Sequence, residues 1–163
     1  MIRPIVLWPD PVLSKVADPV GPVTDEIRNL AQDMLETMYD APGRGLAAPQ
    51  VGVSKRLFVM DTAWKDGPAH PRIVIDPVIL ERSDAEETME EGCLSIPGVL
   101  APISRPTEIT LQWQDETGAI LTERLTGFDA VCAQHELDHL DGIVTFDRLP
   151  DDVRADLEKV YSA

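Results

Sequence analysis

The chain has few of the features that mark secreted, membrane-spanning or nucleic-acid-binding proteins. Its 163 residues include only two cysteines, which is too few for a disulfide framework and suits a reducing compartment. There is no apolar run near the ~20 residues that cross a bilayer, and the N-terminus has no long apolar signal core. Basic residues are scarce, since 14 Lys and Arg face 29 Asp and Glu for a formal net charge of −15. This balance disfavours nucleic acid and anionic membrane as partners. The two cysteines and the missing signal core favour a cytoplasmic protein.

The predicted elements favour the α+β class, because paired strands precede a helix and do not alternate with helices. No repeat or low-complexity segment divides the chain, and we expect one domain over residues 1–163. Apolar residues spaced by three and four predict a first helix from Ile27 to Met38, capped by Thr24. The other predicted elements are a strand over 56–61, a strand pair over 73–80 broken at Pro77, a hairpin over 107–114 and 119–125, and a closing helix over 150–161.

The most informative pattern is Gln-His-Glu-Leu-Asp-His, near the C-terminal end of the chain. Histidines four residues apart lie one turn apart on one helix face, so His135 and His139 can bind one metal ion. Glu136 lies beside them and can move the protons of water that the metal activates. Thr126-Gly127-Phe128-Asp129 offers cap candidates for this helix, among which Asp129 could accept a backbone N–H bond, and we expect Gly142 to end the helix. The pattern by itself also fits a surface helix with two histidines.

A catalytic metal site needs three protein ligands and an open position, so a third ligand must come from Cys132, Cys93 or a carboxylate. Cys132 lies about 10 Å along the helix axis from His139 at ~1.5 Å per residue, and we interpret it as a small buried side chain. Cys93 is the stronger candidate because Gly92 lets the backbone approach closely, but a buried core cysteine fits the spacing equally well. We expect His70, in a proline-flanked loop, to be solvated.

Three segments together resemble the peptide deformylase family in motif, order and spacing. They are Gly43-Arg44-Gly45-Leu46-Ala47-Ala48-Pro49-Gln50, Glu91-Gly92-Cys93-Leu94-Ser95 and Gln134-His135-Glu136-Leu137-Asp138-His139. The resemblance extends over most of the chain and implies antiparallel strands packed around a central metal-binding helix. It also implies removal of the N-formyl group from the N-terminal formylmethionine of newly made proteins, with release of formate.

The resemblance implies a role for each matching residue of the metal site. Cys93, His135 and His139 would hold one divalent metal ion, and Glu136 would carry the proton. The family favours Fe²⁺, and zinc also suits one cysteine and two histidines. Asp138, Glu91 and backbone carbonyls are candidate acceptors for the second ring N–H of the histidines, and Arg105 is expected to pair with Glu91.

The resemblance also implies groups that contact the substrate. The Gln50 side chain and the Leu94 backbone N–H would donate to the oxyanion, while Gly43, Arg44 and Gly45 would line the substrate pocket. Relatives often carry an aliphatic residue at position 44. The charged side chain of Arg44 leaves two possibilities. Either it contacts the substrate and favours acidic peptides, or its stem lies along the cleft rim with the charge in water.

Formylated nascent peptide is the partner that the resemblance implies. Some relatives engage the ribosome through a longer basic C-terminal helix, whereas residues 151–160 are short and acid-rich, which argues against ribosome docking.

Three alternatives remain. A divergent paralogue could act on another N-formyl or N-acyl amine, and a metal-binding protein could have little turnover. The set of Gln50, Cys93 and Glu136 argues against the second, because a binding module needs no proton carrier. A metalloprotease accounts for His-Glu-x-x-His but leaves the first two motifs unexplained.

Overall fold

A computed structural model describes residues 1–162 of the chain. Three helices and seven strands lie within that range, joined by short 3₁₀ turns at Pro11–Ser14, Ala48–Val51 and Thr145–Arg148. The helices are α1 (Asp25–Asp40), α2 (Gly127–Leu140) and α3 (Asp151–Ser162). The strands are β1 (Gly45–Ala47), β2 (Leu57–Met60), β3 (Arg72–Arg82), β4 (Glu86–Cys93), β5 (Ile96–Pro106), β6 (Glu108–Gln114) and β7 (Ile120–Thr126).

The strands form two antiparallel sheets, with α2 packed among them. The larger sheet has the order β1-β2-β3-β6-β7, and the smaller is the β4–β5 hairpin. Ala130 and Ala133 of α2 join the core cluster that also holds Phe58, Leu111 and Trp113 of the larger sheet. The predicted α+β class, with antiparallel strands around the metal-motif helix, is confirmed. Within residues 1–162, no helix is both long and apolar enough to cross a membrane.

The predicted first and last helices are confirmed at α1 and α3. The Thr24 hydroxyl accepts a hydrogen bond from the Ile27 N–H, as expected of an N-cap. The buried side of α1 packs on the larger sheet, and its members are Leu30, Ala31, Met34, Leu35, Thr37 and Met38.

The predicted break at Pro77 is wrong, because β3 runs continuously through it. The strand absorbs the proline as a shift of register between Ile75 and Val78, where Asp76 adopts a φ of +50°. A proline has no N–H to donate to a neighbouring strand, so it fits where the pairing is interrupted. The Asp76 carboxylate fixes the bend by accepting the backbone N–H groups of Val20 and Gly21.

The cap of α2 lies at Thr126, one of the predicted candidates, although its side chain makes no capping hydrogen bond, and the backbone bond expected of Asp129 is wrong. The helix begins at Gly127, so Asp129 lies inside its first turn and its carboxylate accepts the Thr62 hydroxyl. The predicted end is confirmed, since Gly142 has a φ of +73° just past the last turn and its N–H bonds the His139 carbonyl. A side chain at Gly142 would lie 2.8 Å from the Ser14 carbonyl oxygen, so a glycine is required there.

The β4–β5 hairpin was not anticipated from the sequence. β4 is rich in glutamate and β5 contains prolines, and both features are unfavourable for strands. The sequence pattern that does indicate β5 is the alternation of its buried residues, which are Val99, Ala101, Ile103 and Arg105. A buried arginine at the end of the series hides the pattern. This hairpin matters because it carries Cys93 to α2.

Candidate active site

Three side chains that could bind a metal ion meet between the hairpin and α2. Cys93 lies at the end of β4, and His135 and His139 lie one turn apart on α2. One ligand atom from each falls within 4.8 Å of the other two, and the Cys93 Sγ is 3.4 Å from the His139 Nε2. Ligands held at ~2.0–2.3 Å in a tetrahedral site lie roughly 3.3–3.7 Å apart. The donor set and the separation of Cys93 from His139 therefore fit one tetrahedral metal with an open position.

Glu91 fixes the orientation of the His135 ring on the side away from the ligand cluster. The His135 Nδ1 is 3.0 Å from Glu91 Oε1, which leaves Nε2 to face the ligand cluster. Glu91 also receives two hydrogen bonds from the Arg105 guanidinium, at 2.7 and 3.0 Å, so the predicted ion pair is confirmed. Burial alone would raise the pKa of Glu91, but the hydrogen bonds from His135 and Arg105 outweigh it and lower that pKa. Glu91 is thus held as a carboxylate.

Asp138, the other candidate acceptor, serves a different group. Its carboxylate binds Arg105 at 3.0 Å and Arg148 at 2.6 Å, and within residues 1–162 it makes no hydrogen bond to either histidine ring. Nδ1 of His139 has no partner among residues 1–162. Burial lowers the pKa of His139, which favours the neutral imidazole that can donate a lone pair to a metal.

Glu136 lies next to His135 on α2 with its carboxylate buried. Burial raises its pKa to about 7, a value suited to taking and giving protons near neutrality. Its Oε1 has no hydrogen-bond partner in the described part of the chain. On the other side, a Cβ added at Gly45 would lie 2.8 Å from Oε2 and 2.9 Å from the Cys132 Sγ. Only a glycine lets β1 come this close to the carboxylate.

The amide of Gln50 is oriented by its neighbours. Its Oε1 accepts the Ala47 N–H at 2.9 Å, so its Nε2 points the opposite way, to within 3.0 Å of the Ser95 Oγ and 3.5 Å of the Cys93 Sγ. Gln50 is 1% exposed, which places a fixed donor beside the ligand cluster. The backbone N–H of Leu94, in the turn after Cys93, donates to no other group in residues 1–162.

Cys132 stands apart from the ligand cluster. It is buried and its Sγ lies 3.6 Å from the Arg44 carbonyl oxygen. Burial and the nearby Glu136 raise the pKa of the thiol, so it remains protonated and unsuited to metal binding. His70, expected to be solvated, is exposed.

A cleft of about 850 Å³ opens above the cluster. Gly43, Arg44 and Gly45 form part of one wall, together with Phe128 and Val131 of α2. The Arg44 guanidinium carbon is 5.6 Å from the centre of the Phe128 ring, and one guanidinium nitrogen is 3.6 Å from the Asp66 carboxylate. Sequence reasoning missed Phe128 and Val131. Their helix spacing relative to His135 could have identified them, because residues three, four and seven apart share a face.

An α+β fold with a cysteine and two histidines around one point, and a buried carboxylate beside them at the base of a cleft, places the chain among the metal-dependent hydrolases.

Within that class the chain belongs to the polypeptide deformylase family, whose sequence profile matches residues 2–155. A peptide deformylase of Maricaulis maris is 49% identical over 148 residues, which is 91% of this chain and 85% of that protein. One from Rhizobium meliloti is 46% identical, over 90% and 84% of the two chains. The crystal structure of a peptide deformylase from Legionella pneumophila superposes with a TM-score of 0.93 at 36% identity, covering 99% of this chain and 94% of that one.

Proposed function

We propose that this protein is a peptide deformylase that hydrolyses the N-formyl group of N-terminal formylmethionine on newly made proteins, giving formate and a free amine. It acts as one catalytic domain over 1–163, which the family match over residues 2–155 supports. The observation that carries the proposal is the Cys93, His135 and His139 cluster with Glu136 beside it, in a chain of this family.

Cys93, His135 and His139 would hold one divalent metal, Fe²⁺ in preference to Zn²⁺. When bound, such a metal supplies Lewis-acid chemistry, by which it polarises a carbonyl and makes water acidic enough to attack near neutral pH. The thiol of Cys93 binds as thiolate. Glu91 supports the geometry by holding His135 through Nδ1, 3.0 Å away.

Glu136 moves the proton. Its free Oε1 accepts a proton from the attacking water and returns it to the nitrogen that leaves with the peptide. Gln50 Nε2 and the Leu94 N–H donate to the oxygen of the formyl group as it gains negative charge, and two hydrogen bonds fix the Gln50 amide before substrate arrives.

The cleft provides two kinds of contact for the peptide. β1 is the end strand of the larger sheet, so its outer edge has no partner strand. Apart from the Ala47 N–H, which Gln50 accepts, the outward backbone groups can hydrogen-bond an extended chain. Phe128, Val131 and Cys132 offer an apolar surface beside His135 for the methionine side chain. Gly43 and Gly45 allow the backbone to approach closely, and Arg44 adds a positive charge to the wall.

The formylated nascent peptide is the partner, met in the cytoplasm. The C-terminal helix α3 carries four acidic residues, Asp151, Asp152, Asp156 and Glu158, against two basic ones, Arg154 and Lys159. Its net charge repels ribosomal RNA, so ribosome docking through this helix is not part of the proposal.

Formate release tests the function directly. The metal-loaded enzyme is offered formyl-Met-Ala-Ser, acetyl-Met-Ala-Ser and unformylated Met-Ala-Ser, and formate, acetate and internal cleavage are measured. We expect formate from the first peptide and no product from the others. Acetate release at a comparable rate would indicate a broader N-acyl hydrolase, internal cleavage would indicate a protease, and no product at all would indicate a binding protein.

A further inference from the structure

The loop between β2 and β3, residues 61–71, contacts the cleft segment Gly43–Gly45 through two side chains. The Asp66 carboxylate lies 3.6 Å from an Arg44 guanidinium nitrogen, and Trp64 binds the backbone of the segment. The Trp64 indole N–H donates to the Gly43 carbonyl at 2.9 Å. The Trp64 ring meets the Tyr39 ring edge to face, with centroids 5.1 Å apart and planes at 87°. The indole is therefore oriented by α1 and directed onto the cleft wall.

The base of this loop is itself anchored in the core. Asp61 is 2% exposed, and its Oδ2 accepts the Tyr39 hydroxyl at 2.5 Å and the His70 N–H at 2.9 Å. The Asp61 N–H also donates to the Arg44 carbonyl at 2.9 Å. One buried carboxylate thus fixes Tyr39 and the far end of the loop, while the same residue's backbone holds the cleft segment.

The other face of the cleft segment touches the candidate catalytic groups. A Cβ at Gly43 would lie 2.8 Å from the Leu94 Cδ1, so Gly43 is packed between Leu94 and the Trp64 indole. Gly45 packs in the same way against Glu136. A segment with two glycines has wide backbone freedom, and only its contacts fix it in one conformation. On the side of Gly43 opposite Leu94, the contact that fixes the backbone is the hydrogen bond from the Trp64 side chain to the Gly43 carbonyl.

We propose that Trp64 is a positioning residue for the peptide part of the substrate. Its hydrogen bond to Gly43 keeps the cleft segment and the adjoining edge of β1 in the conformation that an extended peptide binds. Binding then requires no ordering of this segment, which favours affinity. The inference rests on the proposed function and adds to it a residue that none of the three motifs contains.

This role predicts a change in KM that depends on the length of the substrate. Contacts along the peptide backbone exist both before and during reaction, so their loss raises KM and leaves kcat nearly unchanged. Formyl-Met amide has no following residues to lie along β1, whereas formyl-Met-Ala-Ser does. The effect should therefore appear with the longer substrate.

Trp64→Phe tests the proposal, because it keeps a ring against Tyr39 and removes the N–H donor. We expect KM for formyl-Met-Ala-Ser to rise roughly 3- to 10-fold, as loss of one hydrogen bond implies, with kcat, metal content and Tm little changed. KM for formyl-Met amide should change less than twofold. The Kd of the product Met-Ala-Ser, measured by calorimetry, should rise with the KM of the tripeptide.

Trp8→Phe is the matched control. The Trp8 ring packs on Phe146 and Tyr161, and its indole N–H donates to no group in residues 1–162, so the same substitution removes no hydrogen bond. Equal KM changes for both substrates, equal changes in both variants, or an unchanged tripeptide KM and product Kd in Trp64→Phe would overturn the positioning role. If wild-type enzyme released no formate from either substrate, the proposed function would fail instead.

Discussion

The floor of the cleft and its rim differ in burial and in how their polar groups are held. On the floor, Gln50 and Glu136 are 1% and 2% exposed, and Gln50 is held by hydrogen bonds at both ends of its amide. On the rim, Asp66 has an 80% exposed side chain and Phe128 is 42% exposed. Buried groups with a fixed orientation stabilise the charge that develops when a bond breaks. Solvent-exposed groups interact weakly with the peptide and can only favour one peptide over another. Substitutions on the floor should therefore affect all substrates equally and strongly, and substitutions on the rim should act weakly and selectively.

The largest effect is expected for a metal ligand. Cys93→Ala should lose its bound metal and with it measurable formate release from every peptide, because two histidines remain where three ligands are needed. Metal content is measured by elemental analysis beside formate release. Cys132→Ala is the control within the same cleft and should keep its metal. Metal loss in Cys132→Ala with retention in Cys93→Ala would reverse the ligand assignment.

The next effect is expected at the proton carrier. Glu136→Ala should keep metal and fold but lower kcat by ~10²–10⁴, which is the usual contribution of general acid–base catalysis. The loss should be the same for every formylated peptide, since the proton moves at the reacting bond. Substantial turnover in this variant at saturating peptide would remove the role assigned to Glu136.

A smaller loss on the floor is expected at the oxyanion donor. Gln50→Leu should lower kcat by ~10²–10³ with little change in KM, because the charge it stabilises exists only after attack. The substitution also removes the hydrogen bonds of Gln50 to Ala47 and Ser95. A thermal melt and a metal analysis of the variant therefore check that it is still folded and loaded with metal. Normal kcat in a folded, metal-loaded variant would make Gln50 a structural residue.

The smallest effect is expected on the rim. The Arg44 guanidinium lines the cleft, so kcat/KM for formyl-Met-Ala-Asp should exceed that for formyl-Met-Ala-Lys by roughly 2- to 5-fold, as exposed ion pairs allow. Salt should reduce this ratio, and Arg44→Ile should abolish it. Equal ratios in wild type and Arg44→Ile would mean that the guanidinium does not contact the peptide and is satisfied by Asp66, the Phe128 ring and water.

The part of the cleft floor that lies on one helix could be predicted from the sequence. His135, Glu136 and His139 lie within one helix turn, where spacing alone determines which residues share a face. Cys93 could not be chosen by spacing, because its place depends on the β4–β5 hairpin folding against α2. That hairpin went unrecognised, since glutamates and prolines conceal the alternation of its buried residues.

On the rim, the resemblance indicated Gly43, Arg44 and Gly45, but the side chain that holds them could not be predicted. Trp64 lies in a loop with no periodicity, and its contact with Gly43 depends on where Tyr39 and Asp61 place the loop. Asp129 and Pro77 were misjudged for a related reason. Local preference suggested a cap and a strand break, but in the fold Asp129 bonds Thr62 across the chain and Pro77 is accommodated at a bulge.

The Arg105 guanidinium limits how this site can change by single mutations. It is 5% exposed and compensates the buried carboxylates of Glu91 and Asp138, which come from different elements. Removing it would leave two buried charges short of partners, and breaking such a pair typically costs roughly 3–5 kcal/mol. Arg148, the second partner of Asp138, is 43% exposed, so its loss is partly compensated by water. We therefore expect single replacements of Glu91, Arg105 or Asp138 to cost more stability than joint replacement of all three by apolar residues, so an evolutionary route that alters them one at a time would pass through less stable proteins.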